Sequence, residues 1–128
     1  SLSHRFGAYP SALGEILVAA QSKGFRIEGI SFHVGSQASD PLDFDAALQL
    51  ARQIWDSYTW ASRAWKWLDI GGGFPVAYRQ QPCMPLHEYA AKVEQAIQCH
   101  FGDLAQSLVI AAEPGRVLSA AAATLIVE

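Results

Sequence analysis

The sequence contains an unbroken run of three glycines, Gly71-Gly72-Gly73, directly after an apolar stretch. Without Cβ atoms such a run lets the backbone approach an anion closely, with its amides turned inward together as a phosphate nest. The same glycines would equally serve a tight strand-to-helix turn that needs positive φ. A second apolar stretch closes on Glu113-Pro114-Gly115-Arg116. Arg116 offers a planar fork that can place two hydrogen bonds on one phosphate, or pair with a carboxylate. Glu113, if buried there, needs a partner, either a protonated ligand nitrogen or Arg116 itself. A third stretch ends in Phe32-His33-Val34-Gly35-Ser36-Gln37. Here His33 can be a satisfied core residue or a catalyst, and Ser36 a helix cap or a phosphate donor.

Other chemistries fit the same residues less well. A dinucleotide fingerprint wants a further glycine three positions after Gly73, and Val76 stands there. Cys83 precedes His87 by four residues and Cys99 adjoins His100. Adjacent side chains rarely reach one ion, and there is no Cys-x-x-Cys pair, so no metal is expected. Trp55, Trp60, Trp65 and Trp67 have only Arg63 and Lys66 near them. A stacking platform for bases would interleave more basic residues, so these tryptophans are expected to pack in the core.

The elements that would position these turns follow from periodicity. Phe25 to Val34, Trp67 to Ile70 and Leu108 to Ala112 read as strands, with further strands expected at Leu2 to Gly7 and Ala122 to Val127. Between them lie three helical patterns. One covers about Ser11 to Gln21, burying Leu13, Ile16, Leu17 and Ala20 and ending near Gly24 as a C′ residue. The next starts at Asp40 as N-cap with Pro41 at the first helical position, and turns Ala47, Leu50, Ala51 and Ile54 inward. The last runs through Leu86, Tyr89, Ala90, Val93, Ile97 and Phe101. Alternating strands and helices, with strands nearly continuous in apolar residues, predict a parallel α/β fold covered on both sheet faces. Each turn with chemical potential then sits at a strand C-terminus, where ligands bind in such folds.

Composition narrows the partners. The 128 residues suffice for one modest domain but fall below the roughly 250 of a complete eight-stranded α/β barrel. Apolar residues make up 51% and charged residues 16%, against about a quarter charged in ordinary soluble domains. Surface that something else covers is expected. The net charge of -3 and the scattered basic residues leave no footprint for nucleic acid. No apolar run approaches the ~20 residues of a membrane-spanning helix, and no signal pattern opens the chain. Two cysteines make no disulfide framework, so free thiols in a reducing cytoplasm are expected.

In order, His33-Val34-Gly35-Ser36-Gln37, Leu68-Asp69-Ile70-Gly71-Gly72-Gly73-Phe74-Pro75 and Glu113-Pro114-Gly115-Arg116 closely resemble the motifs of the barrel-type pyridoxal-phosphate decarboxylases. That family includes ornithine, lysine, diaminopimelate and biosynthetic arginine decarboxylases, and its barrel is similar to that of alanine racemase. Ser3 to Gly7 resembles the family's Ser-x-Lys-Phe-Gly strand with Arg5 in place of lysine. The resemblance implies a parallel (β/α)8 TIM-type barrel of which residues 1–128 are the C-terminal half. It also implies a pyridoxal 5'-phosphate site. His33 would stack on the pyridine ring as the catalytic contact, Glu113 would face the ring nitrogen, and Ser36, Gly71, Gly72, Gly73, Gly115 and Arg116 would surround the phosphate. Phe32 and Phe74-Pro75 resemble the ornithine and lysine branch, so ornithine is the expected substrate and polyamine biosynthesis the expected context. Diaminopimelate or arginine decarboxylase, and a non-catalytic regulatory relative, are the alternatives.

The family also needs a lysine on an early strand to hold the cofactor as a Schiff base, and Lys23, Lys66 and Lys92 do not match its context. The family's C-terminal β-domain and its contribution across a homodimer are likewise not among these residues. The chain is therefore expected to be inactive alone and to self-associate.

Overall fold

The computed structural model describes residues 7–122. The strands expected at Leu2 to Gly7 and Ala122 to Val127, and the Ser3 to Gly7 match, therefore lie outside the described residues apart from Gly7 and Ala122. A single 3₁₀ turn, Pro10–Ala12, leads into helix α1, Leu13–Ser22. That helix stops as the sequence predicts. Gly24 takes φ +76°, its amide donates to Gln21 O, and Phe25 N donates back to Ala20 O, so the last turn's carbonyls are satisfied.

Strand β1 is Gly29–Ser31, shorter than the run from Phe25 to Val34, and Phe25 is 66% exposed. Helix α2, Leu42–Ser57, starts under the Asp40 carboxylate, which accepts the Leu42 amide at 3.0 Å. Asp43 and Asp45 in its first turn suit the positive end of the helix dipole. A short helix α3, Thr59–Ser62, precedes β2, Trp67–Asp69. Helix α4, Leu86–Phe101, matches the expected span. Strand β3, Val109–Ala111, and α5, Gly115–Ser119, complete the described chain.

The three strands form one parallel sheet in the order β1-β2-β3, with Ile30, Leu68 and Ile110 in register. Gly29 lies so close to the Trp67 carbonyl that any Cβ would collide with it. Helices α2 and α4 cover one face. Between them and the sheet lie Phe44, Leu48, Leu68, Tyr89 and Phe101, all fully buried, at about 2 to 5 kcal/mol for each truncation to alanine. Aromatic edges organise this layer: Phe44 meets Tyr89 at 6.1 Å, and Trp55 meets Trp65 at 5.1 Å and Phe101 at 5.7 Å.

Several expected burial patterns are corrected. Helix α2 turns Phe44, Leu48, Ala51 and Trp55 into the core, whereas Leu50 is 45% exposed and Ala47 and Ile54 are half-buried. The Ala47, Leu50 and Ile54 stripe instead lines an apolar cleft of about 350 Å³ shared with Leu13 and Leu17 of α1. Ile16 and Leu86 are exposed as well. Only Trp55 and Trp65 are core residues, and Trp60 and Trp67 are about half-exposed. The second sheet face is not covered among the described residues, since Trp67 and Val109 both open to solvent there. No helix among the described residues is long and apolar enough to cross a membrane.

Candidate functional site

The three turns singled out by residue type meet at the C-terminal ends of β1, β2 and β3. Backbone bonds tie them together in register order. Phe32 N donates to Asp69 O at 3.0 Å, Ile70 N to Ala111 O at 2.9 Å, Glu113 N to Gly71 O at 2.8 Å and Ala38 N to Gly73 O at 2.9 Å. Such proximity explains the glycines. Gly71 and Gly73 take φ of +65° and +110°, and a Cβ on either would strike the Phe32 or Gly35 carbonyl. Gly72 sits at the centre, where a Cβ would lie 2.7 Å from Glu113 O and 3.2 Å from His33 Cε1.

The expected nest of three inward amides does not form. Gly71 N donates to Asp69 Oδ1 at 2.8 Å, and Gly72 N donates to His33 Nδ1 at 3.1 Å. The Asp69 carboxylate, two residues back, is a local acceptor, whereas the His33 imidazole is brought to Gly72 from the turn after β1, thirty-nine positions away. Gly73 N is left without a partner among the described residues. Gly115 N is also engaged, on Glu113 O.

His33 accepts at Nδ1, which puts its ring proton on Nε2. Its side chain is exposed rather than packed into the core. Ser36, Glu113 and Arg116 are exposed too. Glu113 is therefore not the buried carboxylate that would require Arg116, and neither residue forms an ion pair among the described residues. The rim thus presents an imidazole, a hydroxyl, a carboxylate and a guanidinium to solvent around a cradle of bare backbone. Two positions in this network were not among the candidate residues. Asp69 caps Gly71 and accepts the Ser31 hydroxyl at 3.2 Å, and the Gln37 amide exchanges two bonds with Val76. A polar residue next to each glycine-bearing turn was the available signal.

The lysines lie elsewhere. Lys23 follows the C-terminus of α1, Lys66 directly precedes β2 at the opposite end of the sheet, and Lys92 is exposed on α4.

The sequence profile of the pyridoxal-dependent decarboxylases, pyridoxal binding domain, matches residues 1–120. Among individual relatives, decarboxylase flvG of Aspergillus flavus is 36% identical over 128 residues, covering 98% of this chain and 27% of that protein. Ornithine decarboxylase of Cricetulus griseus is 36% identical over 126 residues, again covering 98% of this chain and 27% of that protein. Among solved structures, lysine/ornithine decarboxylase of Vibrio vulnificus complexed with putrescine superposes with a TM-score of 0.76 at 36% identity, covering 90% of this chain and 31% of that one. Lysine decarboxylase from Selenomonas ruminantium gives 0.78 at 33% identity, covering 91% and 29%. The chain thus spans under a third of the length of these relatives.

The cofactor of such a domain is pyridoxal phosphate, and the geometry suits it. A phosphate needs bare backbone, a free amide and a cation; Gly71 to Gly73, the Gly73 N–H and exposed Arg116 supply these. A pyridine ring needs a flat neighbour and an acceptor for its protonated nitrogen, roles open to His33 and Glu113. From its profile match and its parallel α/β rim, the chain belongs to the pyridoxal-dependent decarboxylase family, through that family's pyridoxal binding domain.

Proposed function

We propose that residues 1–128 are the second half of a (β/α)8 barrel that holds pyridoxal phosphate in an amino-acid decarboxylase acting on ornithine. The observation that carries this reading is the rim: His33, Glu113 and Arg116 stand exposed and without ion-pair partners among the described residues, around a glycine turn with no room for a side chain.

In this reading His33 lies against the pyridine ring, its orientation set by the Gly72 amide on Nδ1. Glu113 faces the pyridine nitrogen and holds a proton there, and no bond to Arg116 competes for its charge. The Ser36 hydroxyl, the Gly73 N–H, the backbone at Gly115 and the Arg116 fork hold the phosphate. Gly71 and Gly72 act by having no side chain rather than by donating, since their amides are engaged within the turn. When bound, pyridoxal phosphate supplies the electron sink that loss of carbon dioxide requires. The Schiff-base lysine belongs to another strand of the protein, because Lys23, Lys66 and Lys92 stand off the rim. A homodimer that completes the substrate site, in the cytoplasm and in polyamine biosynthesis, goes with the same reading. The names of the relatives and the Phe32 and Phe74-Pro75 neighbours of the motifs favour ornithine.

The test uses the protein with its flanking sequence. Carbon dioxide release is measured from ornithine, lysine, arginine and diaminopimelate, alongside cofactor titration of the apoprotein. Ornithine is expected to give the highest kcat/KM. Arg116→Ala should weaken pyridoxal phosphate by about ten- to a hundredfold, the worth of a charged hydrogen-bond pair, with pyridoxal little affected. Preference for another of the four, or release from none, would overturn the substrate or the activity. An Arg116→Ala protein that binds the cofactor normally would overturn the site.

A further inference from the structure

Gln37 is the one non-glycine residue with positive φ among the described residues, at +58°. A Cβ crowds the backbone in that conformation, so a glycine would be the easier choice there. What glutamine adds is its amide. Nε2 donates to Val76 O at 3.0 Å while Oε1 accepts from Val76 N at 2.9 Å, a two-point pairing that reproduces the donor and acceptor face of a neighbouring strand. Val76 lies three residues beyond Gly73, and Gln37 follows Ser36 directly. The side chain therefore ties the loop after β1 to the segment leaving the glycine turn after β2. One residue further on, Ala38 N donates to Gly73 O at 2.9 Å, and the Tyr89 hydroxyl of α4 donates to Ala38 O at 2.6 Å. The Gln37 side of the clamp is thus fixed to the core through Tyr89, and on the other side Phe74, two residues before Val76, packs against the Tyr89 ring at 6.3 Å.

We infer that Gln37 is a positioning residue for the phosphate site: its amide clamp on Val76 holds the Ser36 hydroxyl at a set separation from the Gly73 amide. The inference rests on the assignment of those two groups to phosphate. Gln37 itself need not touch the ligand. A cradle whose two walls are already joined loses less freedom when an anion arrives, so the clamp acts on affinity for phosphate rather than on affinity for the ring.

Two variants separate the amide from the backbone conformation. Gln37→Gly adopts φ +58° freely and removes the clamp. Gln37→Glu keeps the acceptor for Val76 N–H but sets an oxygen against Val76 O. Apoprotein with its flanking sequence is titrated with pyridoxal phosphate, with pyridoxal and with inorganic phosphate. Both variants are expected to raise Kd for pyridoxal phosphate and inorganic phosphate by about tenfold, and to leave pyridoxal within about twofold. A general weakening of the fold would move pyridoxal and pyridoxal phosphate together. That outcome overturns the inference, as does a pyridoxal phosphate Kd within about twofold of the parent in Gln37→Gly. Arg116→Ala is run beside them. If it loses phosphate affinity and the Gln37 variants do not, the inference alone fails; if neither loses it, the phosphate assignment fails first.

Discussion

At the scale of single residues, the site is organised by what Gly72 excludes. Its missing side chain lets the His33 ring and the Glu113 carbonyl close on the same point, and the Gly72 amide orients that ring. A methyl group there has nowhere to go, because one neighbour is backbone and the other is the ring the site uses. Gly72→Ala is expected to cost about 1 to 3 kcal/mol of stability, as overpacking does. It should also weaken pyridoxal phosphate by about tenfold or more, since His33 must swing away. Gly115 is the contrast: a Cβ there meets nothing within 4 Å. Gly115→Ala should stay within about 0.5 kcal/mol of the parent, the usual range for an open site. Urea unfolding and cofactor titration of the two variants read both effects. Similar behaviour at the two positions would mean that steric closure at Gly72 does not shape the site.

At the scale of elements, α4 is fastened to the rim through the Tyr89 hydroxyl, and to α2 through the Arg52 guanidinium and the His100–Asp45 contact at 2.9 Å. Arg52 of α2 donates to Asp56, Asp103 and the His100 carbonyl and lies over the Phe101 ring. Those bonds hold the Asp103 carboxyl below its ordinary range, and the Asp103 and Asp56 bonds raise the Arg52 guanidinium. On the other side, Tyr89 is fully buried and donates to Ala38 O, two residues from Ser36. Burial, with Asp43 and Asp40 adding to it, pushes the Tyr89 phenol up to about 12. In the unfolded chain it ionises near pH 10. The buried neutral phenol therefore contributes its full stability below about pH 10, and loses it as pH rises from there through about 12. Tyr89→Phe should lose about 1 to 3 kcal/mol near neutrality, because the Ala38 carbonyl is left without its donor. The variant should also show a shallower alkaline decline than the parent. Denaturant midpoints measured from pH 8 to about 12 test this, and parallel declines would show that Tyr89 does not set the alkaline limb.

At the scale of the whole molecule, the sheet is covered on one face only among the described residues. Trp67 and Val109 are 46% and 47% exposed on the other, and β1 and β3 each end the described sheet with an open edge. An apolar face with open parallel edges invites pairing. On the half-barrel reading the 128-residue chain by itself should self-associate, with a concentration-dependent sedimentation coefficient. Trp67→Lys should shift it toward monomer by placing a charge on that face. A monodisperse monomer for the parent chain would count against the half barrel.

The sequence alone was enough to locate the three turns, because each is written in residue types with few other uses: three glycines in a row, a Gly-Arg pair after an apolar strand, a histidine before Gly-Ser. It also gave the span of α4, the start of α2 and the end of α1, since an N-cap and a Schellman glycine act over a few residues. Tertiary structure decided the rest. Helix α2 carries two apolar stripes, and periodicity cannot choose between them; the neighbours Tyr89, Phe74 and Phe101 draw in Phe44 and Trp55, leaving Leu50 half in solvent. The Gly72 amide is taken by His33 and the Gln37 amide finds Val76, each thirty-nine positions away. A donor's partner across such a separation depends on which strands lie side by side, and no local pattern in the chain records that.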